Sequence, residues 1–233
     1  MSAGQAQAQE PVRPQARALI EAVDQAVLSA ELPGKIISFP FQEGEVFKKG
    51  DLLIGFDCRS FKAQLAVETA GLIGAQKKLA NLQRLFKLGS ASQLDIDLAE
   101  AAVQRSQGLQ KQAKVLTQQC QIKAPFSGKV VQRVARLHES KSPGDPIIEI
   151  LNHQKLEIKL VVPSSWLRWM KVGQPFQVKI DETGQIFKAE IVRIGARIDA
   201  VSQTINVMGV PKDANDLLPG MSGNALFSLT PEN

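Results

Sequence analysis

The chain writes one short β-unit twice. Residues 32–57, LPGKIISFPFQEGEVFKKGDLLIGFD, and residues 122–151, IKAPFSGKVVQRVARLHESKSPGDPIIEIL, align at an offset of 94. That offset carries Gly34 onto Gly128, Lys35 onto Lys129, Glu45 onto Glu139, Gly50 onto Gly144 and Asp51 onto Asp145. The apolar pairs follow, Ile36-Ile37 onto Val130-Val131 and Leu53-Ile54 onto Ile147-Ile148. Each copy reads as short strands punctuated by glycine turns, and neither is large enough to bury a core alone. The fold must therefore bring the copies together, so that Ile36, Val46, Leu53, Val130 and Ile148 find apolar partners in one pseudo-symmetric sandwich.

Between the copies the texture changes. From Ser60 to Gln119 there is no proline, and Ala, Leu, Gln, Lys and Glu dominate, all good helix formers. Phe61, Leu65, Leu72, Leu79 and Phe86, with Ala75 and Leu82 between them, recur at heptad spacing. LGSAS at 88–92 interrupts the run. Gly89 suits the C-terminal cap of a first helix. Ser92 suits the N-cap of a second, with Asp95 three residues on to return the capping hydrogen bond. The second helix is expected to use Leu98, Ala102, Leu109, Leu116 and Cys120 as its inner stripe. Two helices of about 28 residues joined by a short turn run antiparallel and reach roughly 40 Å. Cys58 and Cys120 lie equidistant from Gly89, so they meet at the base of the hairpin. There they either form a disulfide, which needs Cα atoms within about 7 Å and an oxidising compartment, or remain two reduced, buried cysteines acting as small apolar residues.

Composition narrows the function classes. The chain has 233 residues, 44% hydrophobic and 22% charged, ordinary for a globular protein. The net charge of +5 is spread along the chain and there is no tyrosine. It reads as solvated surface and not as a nucleic-acid footprint, which needs clustered basic residues and exposed aromatics. No apolar run approaches the ~18 residues of a membrane span. The polar, Gln/Ala-rich stretch 1–16 is expected to be a disordered tail. It fits a cytosolic protein, and equally an exported one whose leader or anchor has been replaced by an initiating Met.

After the second copy come LEIKLVVPSS, the short amphipathic WLRWM, FQVKI, FKAEIVRIGARI, TINVMGV and LLPGMSGNALF. Short strands broken by Gly and Pro predict a small antiparallel barrel. Together these residues resemble the periplasmic adaptor, or membrane fusion protein (HlyD-like), family of tripartite efflux pumps and type I secretion systems. The resemblance rests on G-K-I…G-E-V-x-K-K-G-D-L-L, a helical hairpin, and then I-K-A-P-F-S-G-K-V…P-G-D-P-I-I-E-I. The later barrel strands around Thr204 and the L-x-P-G-M segment at Leu217 to Met221 add to it. It covers about 17–230.

The resemblance implies a mainly β fold, in which a split lipoyl-like β-sandwich carries an inserted antiparallel α-helical (coiled-coil) hairpin and is accompanied by a small antiparallel β-barrel. The plan is strands at 17–31 leading into barrel and sandwich, the first lipoyl-like half at 32–57, and the hairpin at 58–121 with its tip near 88–92. The second half follows at 122–152 and the barrel at 153–230. Gly34, Gly50, Gly128, Gly144 and Gly220 are expected to be structural turns. His138 stands where the first copy has Gly44, which leaves that turn open to a different build. The family usually carries a further membrane-proximal domain after the barrel, which this sequence does not show.

The resemblance also implies function. The protein is expected to be a non-enzymatic periplasmic adaptor, attached to the inner membrane through a segment not present in this chain. It would bridge an inner-membrane transporter, of the resistance-nodulation-division type for preference, to an outer-membrane channel, and assemble as a ring (trimer or hexamer). A type I secretion adaptor, a lipoyl or biotinyl carrier domain and a cytosolic coiled-coil scaffold are the alternatives. The candidate channel-contacting tip is Arg84, Leu85, Leu88, Gly89, Ser90 and Ser92. Leu85 and Ser92 keep the Leu-x6-Ser part of an adaptor tip pattern, with Asn81 where that pattern has Arg. Carrier domains acylate a lysine on the turn joining their halves; here helices replace that turn, so Lys35, Lys48, Lys49 and Lys129 read as surface lysines and no lipoate or biotin is expected. His138 and His153 are the only histidines and lie apart. Met170, Met208 and Met221 are scattered, so no metal site is expected. No nucleophile–base pair or phosphate loop is present, and no base stands near Cys58. Trp166 and Trp169 make one face of a short helix, better suited to capping a barrel than to binding a ligand.

Overall fold

A computed structural model describes residues 14–228. In chain order the strands are β1 (Gln15–Ala22), β2 (Gln25–Ser29), β3 (Gly34–Ser38), β4 (Val46–Phe47) and β5 (Leu52–Phe56). Helices α1 (Arg59–Lys87) and α2 (Gln93–Gln118) follow. Then come β6 (Gln121–Lys123), β7 (Gly128–Arg133), β8 (Ser140–Lys141), β9 (Pro146–Leu151), β10 (Leu156–Pro163), β11 (Pro175–Ile180), β12 (Ile186–Asp199), β13 (Thr204–Pro211) and β14 (Ser222–Leu226). The chain divides into two compact units, one from residues up to Gln25 together with Leu151 onward, the other Ala26–Ile150. The fold is mainly β with an inserted antiparallel hairpin, as the sequence predicts.

The second unit is the split sandwich. Its sheets run β2-β9-β7-β4 and β6-β5-β3-β8. Moving each strand to its equivalent in the other copy turns the first order into the second. Each sheet combines strands of both copies, so each copy depends on the other for its strand pairing. The repeat holds to the level of single hydrogen bonds. Gly34 pairs with Lys141 and Lys35 with Ser140, while the equivalents Gly128 and Lys129 pair with Phe47 and Val46. The N–H of Gln42 donates to the Glu45 carboxylate and that of Arg136 to Glu139, each at 2.8 Å. Lys48 donates to Asp51 and Ser142 to Asp145 in the same way, again at 2.8 Å. Gly50 reaches Ala124 O and Gly144 reaches Ala30 O, both at 2.8 Å. One core, including Ile36, Phe47, Leu53, Val130, Ile147 and Ile148, lies between the sheets.

The His138 turn is built like its twin. Gly44 has φ 82° and His138 φ 71°, and their amides donate to the equivalent carbonyls of Val130 and Ile36. The surrounding ladder is strong enough to hold a non-glycine residue in the left-handed region. Gly50, Gly144 and Gly220 adopt positive φ at turns. Gly34 and Gly128 do not: they open β3 and β7 in ordinary strand conformation, and a side chain at Gly34 would meet the Phe56 ring at 3.5 Å. That is an ordinary van der Waals distance, so Gly34 and Gly128 serve as strand starts and not as turns.

The first unit is a closed barrel, β1-β10-β13-β12-β11-β14. Along β1, β10, β11, β13 and β14 alternate residues point inward, as in β1, where Ala16, Ala18 and Ile20 are buried. Of the expected tail at 1–16, residues 1–13 lie outside the described residues, while Gln15 and Ala16 belong to β1 because the alternation already begins there. Residues 229–230 of the expected barrel also lie outside. Trp166, Trp169, Phe176 and Phe227 form an aromatic cluster with neighbouring centroids 5.2–5.8 Å apart; the phenylalanines are in the barrel core and the half-buried tryptophans pack against it.

Candidate functional site

The hairpin carries the candidate site, and both its ends are tied by local chemistry. At the tip, α1 stops in a Schellman arrangement. Gly89 has φ 73°; its N–H donates to Phe86 O at 2.9 Å and the Ser90 N–H to Leu85 O at 2.9 Å. These bonds satisfy carbonyls that the helix end leaves open. Arg84 and Lys87 sit in the last turn, where cations complement the helix dipole. Five residues past Lys87, Ser92 starts α2 in a capping box. Asp95 N–H donates to Ser92 Oγ at 3.2 Å, and Ser92 N–H and Oγ donate to Asp95 Oδ2 at 2.9 and 2.6 Å. The Ser92 hydroxyl and then its N–H hold the Asp95 carboxyl below its usual value.

The tip residues therefore divide by role. Gly89 and Ser92 are used in caps, and Leu85 is half-buried. Leu88 is 77% exposed; Ser90 and Arg84 are exposed too, with Arg84 Nε donating to Ala80 O at 3.4 Å. Leu94, which sequence reasoning passed over, is 65% exposed beside them. Its signal was available: the capping box at Ser92 makes it the second helical residue, out of phase with the inner stripe.

The inner stripe of α2 differs from the expected one. Ile96, Ala99 and Ala113 are buried, and Val103, Ser106, Gln110 and Thr117 are half-buried. They face Phe61, Leu65, Leu72, Ala75, Leu79 and Leu82 of α1. Leu98, Ala102 and Leu109 point outward, Leu98 being 61% exposed. The rotation of α2 is fixed from its base. Cys120 continues the seven-residue series Ala99, Ser106, Ala113, and it is bonded to Cys58. Small alanines on this series accept the α1 leucines, and the polar members find partners within the seam. Gln110 Nε2 donates to Thr69 Oγ1 at 3.2 Å, and Thr117 Oγ1 lies 2.9 Å from Ala113 O. Leu116 turns toward the sandwich core and packs against it, as does Phe61. Phe86, expected inside, is exposed at the end of α1.

At the base, Cys58 and Cys120 form a disulfide with Cα atoms 6.0 Å apart. Both are buried in the sandwich core. Phe56 N–H donates to Cys120 O at 2.9 Å, so the strand entering the hairpin pairs with the strand leaving it. Asp57 and Arg59 form an exposed ion pair at 2.6 Å, and the Arg59 side chain holds the Asp57 carboxyl low.

Elsewhere the expected chemistry is sparse. Lys35, Lys48 and Lys129 lie on the surface or at its edge, and no described helix is long and apolar enough to cross a membrane. No cluster of metal-ligating side chains occurs among the described residues.

Comparison with known proteins agrees with this geometry. The family described as "RND MFP, barrel-sandwich hybrid domain" matches residues 24–139, the sandwich and its hairpin. These residues are similar to the membrane fusion protein family. Multidrug resistance protein MdtA of Escherichia coli O17:K52:H18 (strain UMN026 / ExPEC) is 29% identical over 230 residues, an alignment spanning 88% of this chain and 55% of MdtA. The chain thus spans about half the length of the curated relatives it matches. Among solved structures, a putative efflux transporter from Bacteroides eggerthii DSM 20697 superposes with a TM-score of 0.74 at 25% identity, covering 92% of this chain and 68% of that one. A MacA-MexA chimeric protein containing the Pseudomonas aeruginosa MexA α-hairpin domain gives 0.81 at 21% identity, covering 93% and 82%, a likeness of fold.

Proposed function

We propose that this protein is the periplasmic adaptor of a tripartite efflux pump. In that role it links an inner-membrane transporter, of the resistance-nodulation-division type, to an outer-membrane channel, and works without catalysing a reaction. The observation that carries the reading is the hairpin itself. It has two capped helices of 29 and 26 residues, stapled at the base to a split sandwich and ending in exposed Leu88, Ser90 and Leu94. Exposed apolar side chains on a rigid, capped turn suit a protein contact. Arg84 and Ser90 add donors for another protein's helix ends. The disulfide fits an oxidising compartment such as the periplasm. Assembly as a ring, with hairpins side by side, gives the outward-facing Leu98 and Leu109 a neighbour to pack on.

The test is site-specific photo-cross-linking from Ser90 of the full-length protein in cells, with the captured species identified by mass spectrometry. Capture of an outer-membrane channel supports the adaptor reading and the direction of the hairpin. Capture of cytosolic proteins alone overturns the periplasmic assignment. Capture of only its own copies makes the tip an assembly contact and removes the channel from the proposal.

A further inference from the structure

We infer that the hairpin contains a built hinge halfway along its length, a property of the free chain that does not depend on any partner. Three contacts set which residues of the two helices lie level: the Cys58–Cys120 bond, Thr117 Oγ1 against Phe61 O at 3.5 Å, and Gln110 Nε2 on Thr69 Oγ1 at 3.2 Å. The same register sets Gly71 level with Gly108, and Gly74 one turn further toward the tip. Three glycines thus form a belt at mid-height, where α1 (Arg59–Lys87) and α2 (Gln93–Gln118) each pass their own midpoint.

Packing does not require these glycines. All three are exposed, and a Cβ added at Gly71, Gly74 or Gly108 would meet nothing within 4 Å. In a helix interior each lowers the local helix-forming constant about fivefold relative to alanine. The seam at the same height is also the least apolar. Glu68, Thr69, Ser106 and Gln110 are half-buried there, and Leu72 is the buried apolar residue among them. On the tip side, Ala75, Leu79 and Leu82 meet Ile96, Ala99 and Val103. On the base side, Phe61, Leu65, Ala113 and Leu116 pack above the disulfide. Two apolar-packed rods are therefore joined by a belt of weak helix formers and exchangeable polar contacts, a setting in which helices bend.

The staple at the base makes the belt matter. With the entry and exit of the hairpin bonded together, the base resists bending, and a lateral displacement of the tip is taken up where the helices are softest. From Gly74 to Lys87 the lever is roughly 20 Å at 1.5 Å per residue, so a 20° bend would swing the tip by about 7 Å. The hinge lets the tip search for its docking position while the base stays fixed.

Amide hydrogen exchange on the intact, disulfide-bonded chain tests this. A hinge in the belt should give a local maximum of exchange at Leu72–Ala75 and Leu109–Gln110, faster than the segments on either side. The Gly71→Ala/Gly74→Ala/Gly108→Ala variant, whose new methyls enter open space, should slow exchange in the belt by tenfold or more. Rates at Leu79–Leu82 and Ala99–Val103 should stay as they were. As a second readout, nitroxides at Lys62→Cys and Gln83→Cys, on one face and about 32 Å apart along α1, should give a broad distance distribution that narrows in the triple variant. Exchange that rises steadily from base to tip, or belt rates and distance widths indifferent to the three alanines, would overturn the hinge.

Discussion

Breaking the Cys58–Cys120 bond should destabilise the sandwich and hairpin while sparing the barrel. The bond closes a loop of 62 residues, and the chain-entropy relation assigns such a loop about 4 kcal/mol. The unit it belongs to, Ala26–Ile150, has about 125 residues, hence an unfolding entropy near 0.26 kcal/mol/K, and a 4 kcal/mol loss lowers its midpoint by roughly 15 °C. The protein supplies its own separate reporters. Both helices lie in this unit, so ellipticity at 222 nm follows it. Both tryptophans, Trp166 and Trp169, are half-buried and pack against the barrel core, so their emission follows the other unit. The perturbation is reduction with a phosphine, repeated as Cys58→Ala/Cys120→Ala to exclude effects of the reductant. The ellipticity midpoint should fall by about 15 °C with the emission midpoint unmoved. A fall below about 3 °C, or equal falls in both signals, refutes the reasoning that the bond acts by closing this loop in an independently folding unit.

Three further outcomes follow from single sites. His138→Gly should raise the stability of the sandwich unit by about 1 kcal/mol, since the residue occupies a conformation that costs an L side chain this much; an unchanged denaturant midpoint would contradict it. Gly223→Ala would place a Cβ 2.1 Å from Lys179 O on the neighbouring barrel strand and should cost about 3 kcal/mol, read from tryptophan emission. Asp95 has its pKa lowered from 3.8, first by the Ser92 hydroxyl. The cap's contribution is therefore full above the unfolded value near 3.8 and is lost as pH falls through the lower folded value. Exchange at the start of α2 should accelerate only in that acid range, and Asp95→Asn should abolish the response.

Much of the fold was written in local patterns. The offset of 94 linking Glu45 to Glu139 and Asp51 to Asp145 reappears as paired hydrogen bonds, because each carboxylate caps its own turn three residues back and needs no tertiary partner. Gly89 and Ser92 were legible for the same reason. What stayed hidden depends on the other half of the contact. Two apolar series compete on α2, and the leucine-rich one attracts the eye. Only the bond at Cys120 selects the alanine-rich series, although counting back by sevens from Cys120 reaches Ala113, Ser106 and Ala99. The exchange of strands between copies was equally silent, since pairing of Gly34 with Lys141 joins residues that no local pattern relates. His138 looked like a departure because its left-handed turn is imposed by the ladder around it. At the tip, local capping said where the chain turns but not which side chains remain outside, so Leu94 was missed.

In the proposed role the hairpin tip, separately from the rest of the chain, engages a channel. The most direct measurement is affinity purification of the tagged full-length protein from cell envelopes, unaltered and with Leu88→Asp/Leu94→Asp. The unaltered protein should retain both an inner-membrane transporter and an outer-membrane channel. The tip variant should keep the transporter and lose the channel. Loss of both together, or retention of the channel by the variant, would contradict it.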